Sequence, residues 1–360
     1  MPDTATTDRA RSVRHRETEF RTSGHTGTPV SWWRGEDQLA HEAALVADLL
    51  VGEVDHVINF APTKHLFGHL FGEVLPRARG VDVHQAWRHP VTAVPPLRPE
   101  ARTLLVCLPS AWPLLRRLLP ALGAMPRVVA LHSTAAAPDT AKDVVRALHG
   151  TGFTAHALLG STETGAVAHR PIAPAGTDDG RWLLLPDVAL VRDPSDPSDP
   201  RTPEAPGSPQ RLHVSSPRLG RRHDMPAPPP SWRTTDLIRR LGPREFAYLG
   251  RSSRLVKANG LRVWLDEVET AVATALPGLD VVCLPVPDRV RGEHYEIYCA
   301  PGRRGRTAPV DAPQVRGALA RVLPAVPGPR AVHLVDRIPR STLGKVRIPE
   351  LRSPERTTPV

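Results

Sequence analysis

Between Glu36 and Ala155 the chain alternates between two hydrophobic periods, and this alternation limits its possible folds more than any other feature. Leu39, Ala43, Val46 and Leu50 recur at helical spacing, and His56-Val57-Ile58-Asn59-Phe60 follows as a short apolar run. Thr103 to Leu108 and Arg127 to Leu131 are two more such runs, with a helix between them that Ser110 is placed to cap. A further helix follows Pro138, and Phe153 to Leu158 leads into a glycine turn at Gly160. Short apolar strands separated by helices predict a mostly parallel sheet with helices on its faces.

After residue 180 proline breaks the strands, and Asp193 to Pro209 and Met225 to Pro230 read as loops because proline lacks the N–H a ladder needs. The repeated Asp-Pro-Ser is low complexity. Past Gly250 a compact module is expected. Asp266 and Glu269 make a capping-box-like helix start, and Val268, Ala271, Val272, Ala275 and Leu276 form its buried stripe. Strands near Val281 to Leu284, Tyr295 to Cys299 and Val332 to Val335, with a helix from Gln314 to Val322, complete it. The expected class is α/β: a large N-terminal α/β domain with a mostly parallel sheet and a β-rich section, then a small mobile α+β domain. The boundaries are a disordered start over 1–19, a large domain over 20–250, a small one over 251–353 and a tail over 354–360.

A formal charge of +10 invites a nucleic-acid reading, since clustered cations release counterions from phosphates. The arginines are scattered, however, and aromatics make up only 4%, so no nucleic-acid partner is expected. Cys107, Cys283 and Cys299 sit far apart in apolar runs, as reduced core thiols do. No segment reaches the roughly 18 apolar residues of a membrane span, and the start carries no signal-peptide run. A cytoplasmic protein without membrane attachment is the expectation.

Three segments carry chemistry. Thr22-Ser23-Gly24-His25-Thr26-Gly27-Thr28-Pro29 is a small-residue loop whose hydroxyls and backbone donors suit a polyphosphate, although the GxxxxGK spacing is absent. Gly160-Ser161-Thr162-Glu163-Thr164-Gly165, read as a strand-to-helix turn, sets a hydroxyl beside a carboxylate. Thr162 is then placed to meet a phosphate and Glu163 to hold Mg²⁺, which wants oxygen ligands. The chain has only four lysines among 47 basic residues, and Lys257 and Lys345 fall in Gly250 to Gly260 and in Gly344-Lys345. A compact ammonium can place a point charge on a phosphate or a developing anion.

In order, the loop at Thr22, Pro62 to His65, Ser133 to Pro138, Gly160 to Gly165, Trp232 to Asp236, Gly250 to Glu269 and Arg340 to Lys345 resemble the successive core motifs of acyl-CoA synthetases and related adenylate-forming, AMP-dependent ligases. The resemblance runs from about Phe20 to Leu351. It implies that Thr22, Ser23, Gly24, Thr26 and Gly27 grip the ATP phosphates. By the same resemblance Ala136, Gly160, Ser161, Asp236 and Arg251 also hold the nucleotide, Asp236 and Arg251 at the ribose. His65, Ser133 and Leu159 would border the substrate, Thr162 would sit on the α-phosphate and Glu163 on Mg²⁺. Lys345 would neutralise charge at the α-phosphorus during attack. Ser253, Lys257 and Gly260 would serve the hinge and the acceptor face once the small domain swings.

Several positions depart from that family. Val30 stands where the loop usually ends in lysine, Leu159 replaces an aromatic, Thr235 replaces a glycine and Ser253 occupies the hinge. The phosphate loop begins at Thr22, where members of that family generally have about a hundred or more residues before it. A minimal ligase, one half of a two-chain or homo-oligomeric enzyme that covers the missing region, and a non-catalytic nucleotide-binding protein all remain open. The implied activity is ATP- and Mg²⁺-dependent activation of a carboxylic acid, aryl or unsaturated, as its acyl-adenylate. Transfer would follow to CoA or to the phosphopantetheinyl thiol of an acyl carrier protein, in bacterial secondary metabolism. An amine acceptor, or nitrite as the activated group, is the alternative chemistry.

Overall fold

The computed structural model describes residues 17–21, 30–90, 92–133, 136–174, 177, 179–191, 209–258, 261–288, 292–302, 310–341, 344, 346–352 and 358–359. The chain forms two compact units, residues 1–208, 212–234 and 239–247, and residues 209–211, 235–238 and 248–360.

In the first unit β1 (Glu17–Arg21) pairs antiparallel with β2 (Ser31–Gly35), and the short strand Arg221–Arg222 pairs with β2 as well. Glu17 to Glu19 therefore belong to a ladder, which corrects the expected disordered start at residues 17–19; residues 1–16 lie outside the described residues. The main sheet contains β3 (His56–Asn59), β4 (Asp82–His84), β5 (Thr103–Cys107), β6 (Val128–His132) and β7 (Phe153–Ser161). These lie in the order β4-β3-β5-β6-β7, and every neighbouring pair is parallel. Every residue of β3, β5 and β6 is buried, which is why Val57-Ile58, Leu104 to Cys107 and Val128 to Leu131 are apolar without alternation.

Beyond β7 the sheet turns antiparallel. β8 (Gly165–Pro171) pairs with β7, β9 (Arg181–Leu184) pairs with β8, and Glu245 to Ala247 pair with β9. The physical reason is the connection: three residues between β7 and β8 can close a hairpin but not a parallel crossover. The helix after β5 spans Trp112–Arg117, follows a 3₁₀ turn at Pro109–Ala111 and has no side-chain cap, so Ser110 sits inside the turn and caps nothing. Pro113 suits the first helical turn, where its missing N–H leaves no bond unmade.

The second unit builds on the hairpin of Leu279–Asp288 and Gly292–Pro301, with Val332–Leu334 parallel to its second strand. Thr358–Pro359 pairs antiparallel with Val332–Leu334, so part of the expected tail over 354–360 is strand. Helices Leu265–Ala275 and Ala312–Val322 bury Val268, Val272, Val315 and Leu319 against Tyr295, Ile297 and Cys299. Asp311 caps the second helix, accepting from the Gln314 N–H at 2.8 Å. The first helix has no side-chain cap at Trp264. Asp266 and Glu269 instead hold Arg254, which donates to Asp266 at 2.8 Å and also to Glu269, so the capping-box reading gives way to an ion-pair cluster. All three cysteines are free and buried, and burial pushes their thiols up, Cys299 to about 12. Among the described residues no helix is long and apolar enough to cross a membrane.

Candidate active site

Because β3, β6 and β7 run parallel, the segments leaving their carboxyl ends emerge on one edge of the sheet, where open α/β sheets bind ligands. Three of the candidate segments begin there. His65 is half-buried and precedes the short helix Leu66–His69; its N–H donates to the Pro62 carbonyl at 3.0 Å. Ser133 follows β6, and its Oγ donates to the Leu158 carbonyl at 3.2 Å, tying the start of its loop to β7. Ala136 is exposed farther along that loop, and Leu159 is half-buried opposite Ala168.

Gly160 to Gly165 form a β-hairpin turn, not the strand-to-helix turn expected, because Gly165 takes φ 68° and reverses the chain. The Thr164 hydroxyl locks it, donating to the Gly165 carbonyl at 2.9 Å and accepting from the Ser161 N–H at 3.2 Å. Ser161 Oγ lies 3.1 Å from the same hydroxyl. A Cβ on Gly160 would fall 2.2 Å from the Gly165 oxygen, so only glycine fits. The register shift between Leu159 and Gly160 is a bulge, a device that re-aims nearby side chains. Thr162 and Glu163 are left half-buried at the tip, and the Glu163 carbonyl accepts from the Gly220 N–H at 2.8 Å.

Sequence reasoning missed what lies beneath this turn. Glu42, fully buried on helix Glu36–Val46, accepts from the Ala166 N–H at 2.6 Å and from Arg34 Nη1 at 3.0 Å. Arg218 Nη1 lies 3.1 Å from Glu42 Oε2, an ion-pair contact without hydrogen-bond alignment, while its Nε and Nη2 donate to Asp187 at 2.7 and 2.9 Å. Burial holds Arg34 below its ordinary range, against the attraction of Glu42. Burial would lower Arg218 as well, but Asp187 and Glu42 together raise it. The available signal was Glu42 itself, a charge between Leu39 and Ala43 on the apolar stripe of its helix.

In the second unit Asp236 Oδ1 accepts from the Tyr248 hydroxyl at 3.2 Å and from Arg251 Nε at 3.3 Å, so two candidate residues fifteen positions apart meet. Burial, then the charge of Asp236, pushes the Tyr248 phenol up. Burial would lower Arg251, but Asp236 and Tyr248 raise it. Tyr248 was also missed; a single tyrosine outside any motif residue gives little warning. Gly250 has φ 112°, and a Cβ there would lie 2.9 Å from Asp266 Oδ2. Ser253 lies in the 3₁₀ turn Ser252–Arg254 and Lys257 in strand Leu255–Ala258, but their side chains fall outside the described residues. Gly260, Lys345, Thr22, Ser23, Gly24, Thr26 and Gly27 also fall outside them. Around position 345, Arg340 bridges to Val346, donates to the Gly344 carbonyl at 3.1 Å and pairs with Asp280 at 2.7 Å.

Among the described residues no group of three or more His, Cys, Asp or Glu could hold a metal alone. Mg²⁺ held through one carboxylate and substrate phosphates needs no such group, and the half-buried Glu163 fits that role.

No protein-family model matches the chain. It is 28% identical over 287 residues to a 4-coumarate–CoA ligase of Rhodobacter capsulatus, covering 78% of this chain and 62% of that one. Over 134 residues it is 35% identical to a probable non-canonical nonribosomal peptide synthetase of Salinispora arenicola, covering 37% of this chain and 2% of that one. The chain thus spans less than two thirds of the length of these curated relatives. Among solved structures, ATP-bound MatB from Rhodopseudomonas palustris superimposes with a TM-score of 0.70 at 23% identity, over 93% of this chain and 67% of that one. The O-succinylbenzoate coenzyme A synthetase MenE from Bacillus subtilis, in complex with AMP, gives 0.70 at 18% identity, over 95% and 70%. Relatives and neighbours are acyl-CoA ligases and adenylation enzymes, so the resemblance to the adenylate-forming superfamily holds and the fold is acyl-CoA-synthetase-like.

Proposed function

We propose that this chain activates a carboxylic acid with ATP as an acyl-adenylate, releasing pyrophosphate, and then passes the acyl group to the thiol of CoA or of a carrier protein. The observation that carries this reading is the Asp236–Tyr248–Arg251 cluster. An anionic acceptor braced by a phenol and a guanidinium suits a vicinal diol, and these are the positions that the motif order assigns to the ribose.

In the first unit the Thr162 hydroxyl would meet the α-phosphate, Glu163 would hold Mg²⁺, and His65, Ser133 and Leu159 would border the acid. Mg²⁺ would neutralise phosphate charge. The hydroxyls and backbone N–H groups of Thr22 to Gly27 would bind the β- and γ-phosphates. Lys345 would stabilise the charge that builds between the attacking carboxylate oxygen and the α-phosphorus. Relatives named 4-coumarate–CoA ligases support an aryl or unsaturated acid, and the relative named as a probable nonribosomal peptide synthetase supports a carrier-protein acceptor and a place in secondary metabolism.

The test is acid-dependent pyrophosphate release across a panel of aryl, unsaturated and short aliphatic acids. Lys345→Ala is expected to lower the rate on the order of a hundredfold, the size of losing one preorganised charge from a transition state. Release from no acid would refute the activity, and full activity in Lys345→Ala would refute the assigned role.

A further inference from the structure

Arg34 is the feature that the proposed function leaves unexplained. It shares the buried face of β2 with Trp32, whose ring borders the Thr162–Glu163 turn across Gly220. A Cβ placed on Gly220 would lie 3.3 Å from the Trp32 ring, 3.4 Å from the Glu163 oxygen and 3.5 Å from the Thr162 oxygen. The Arg34 side chain has 0% exposure, and among the described residues only its Nη1 has a partner, Glu42 at 3.0 Å. Nε and Nη2 have no acceptor among the described residues. A guanidinium does not shed its charge, and buried donors without acceptors are rare enough to demand a reason.

Glu163 sits on the turn that Trp32 borders, and it is the other anion, after Glu42, that favours the charged form of Arg34. We infer that Arg34 is the positioning residue of Glu163: Glu42 fixes one edge of the guanidinium from behind, and Nε and Nη2 steer the Glu163 carboxylate toward a divalent cation carried on a nucleotide. This rests on the nucleotide reading above. The planar fork of arginine can serve two carboxylates on two edges at once, whereas a lysine at this site would offer one nitrogen to both. Partners behind a metal-binding carboxylate typically change metal affinity about 10–100-fold when lost.

The test uses the full chain and reads binding by calorimetry: ATP titrated at increasing Mg²⁺, and AMP without metal as the control. Arg34→Gln should raise the Mg²⁺ concentration for half-maximal ATP binding about 10–100-fold while leaving AMP affinity unchanged. Arg34→Lys, which keeps the charge but not the fork, should fall between. In a Glu163→Gln background Arg34→Gln should add nothing. A shift under about twofold, or the same shift in that background, overturns the inference. If Arg34→Gln does not fold, Arg34→Gln combined with Glu42→Gln removes both charges of the pair and is read by the same criteria. Wild-type protein that binds neither ATP nor AMP brings down the nucleotide reading and this inference with it, an outcome distinct from a metal response that ignores Arg34.

Discussion

Removing the Glu42 carboxylate should destabilise the first unit about as much as emptying a large core position. Glu42→Ala leaves the Arg34 guanidinium with no hydrogen-bond partner among the described residues, because its other two nitrogens already have none there. Arg218 keeps Asp187 at 2.7 Å and the Ala166 carbonyl at 2.9 Å, so it suffers less. The Ala166 N–H loses its 2.6 Å acceptor. Breaking one side of a buried ion pair costs about 3–5 kcal/mol, and a buried N–H without an acceptor about 1–3 kcal/mol. These overlap, so about 4 kcal/mol or more is expected, a large share of the roughly 5–15 kcal/mol available to a domain. Glu42→Gln keeps an oxygen for Ala166 and should lose nearer 3 kcal/mol, the charge part alone. Urea unfolding followed by tryptophan fluorescence is a suitable assay, since six of the seven tryptophans lie in the first unit. Arg34→Met should partly rescue Glu42→Ala by removing the stranded cation. A loss below about 1 kcal/mol in Glu42→Ala, or no rescue, would refute the electrostatic account.

Acid should weaken the fold before the carboxylates titrate. His156 on β7 is pushed down from 6.5 to about 4 by burial and by the charge of His169, which burial also lowers. The unfolded chain therefore binds protons first, so this stability is complete above about pH 6.5 and is lost as pH falls toward 4. At about 1.4 kcal/mol per unit the upper limit for His156 is about 3 kcal/mol, and His156→Gln should flatten the stability profile between about pH 7 and pH 4.5. Gly160→Ala, with its Cβ 2.2 Å from the Gly165 oxygen, should open the hairpin and cut acid-dependent pyrophosphate release more than about tenfold. Gly80→Ala, at φ 62° with nothing within 4 Å, should cost only about 1 kcal/mol of backbone strain and leave that release intact. Tyr248→Phe removes the 3.2 Å donation to Asp236 and should weaken AMP binding about 3–10-fold by calorimetry; unchanged affinity would remove Tyr248 from the site.

The parallel half of the main sheet was legible because burial on both faces writes itself as unbroken apolar runs, as in Leu104 to Cys107 and Val128 to Leu131. The hairpin at Gly160 to Gly165 was not, since a glycine that turns a strand back on itself and one that leads into a helix look alike until the partner strand is known. Asp266 and Glu269 have the spacing of a helix start, yet Arg254, twelve and fifteen residues away, draws both carboxylates into ion pairs. Asp236 and Arg251 were found through motif order, while Tyr248 could be found only through geometry. Local signals decided local structure, and pairings across the chain overrode them where charge was involved.

The network beneath Glu163 is the extreme case, joining residues 34, 42, 166, 187 and 218. Stability does not explain it, because well-packed apolar groups in place of a buried ion pair are often as stable or more so. An apolar replacement would lack one property: it could not present a cation to Glu163 from inside the protein. Arg34→Met combined with Glu42→Met should therefore fold at least as well as Glu42→Ala while losing the Mg²⁺ response of ATP binding. If that variant keeps a wild-type metal response, the buried charges serve the fold alone and Glu163 is aimed by the hairpin backbone.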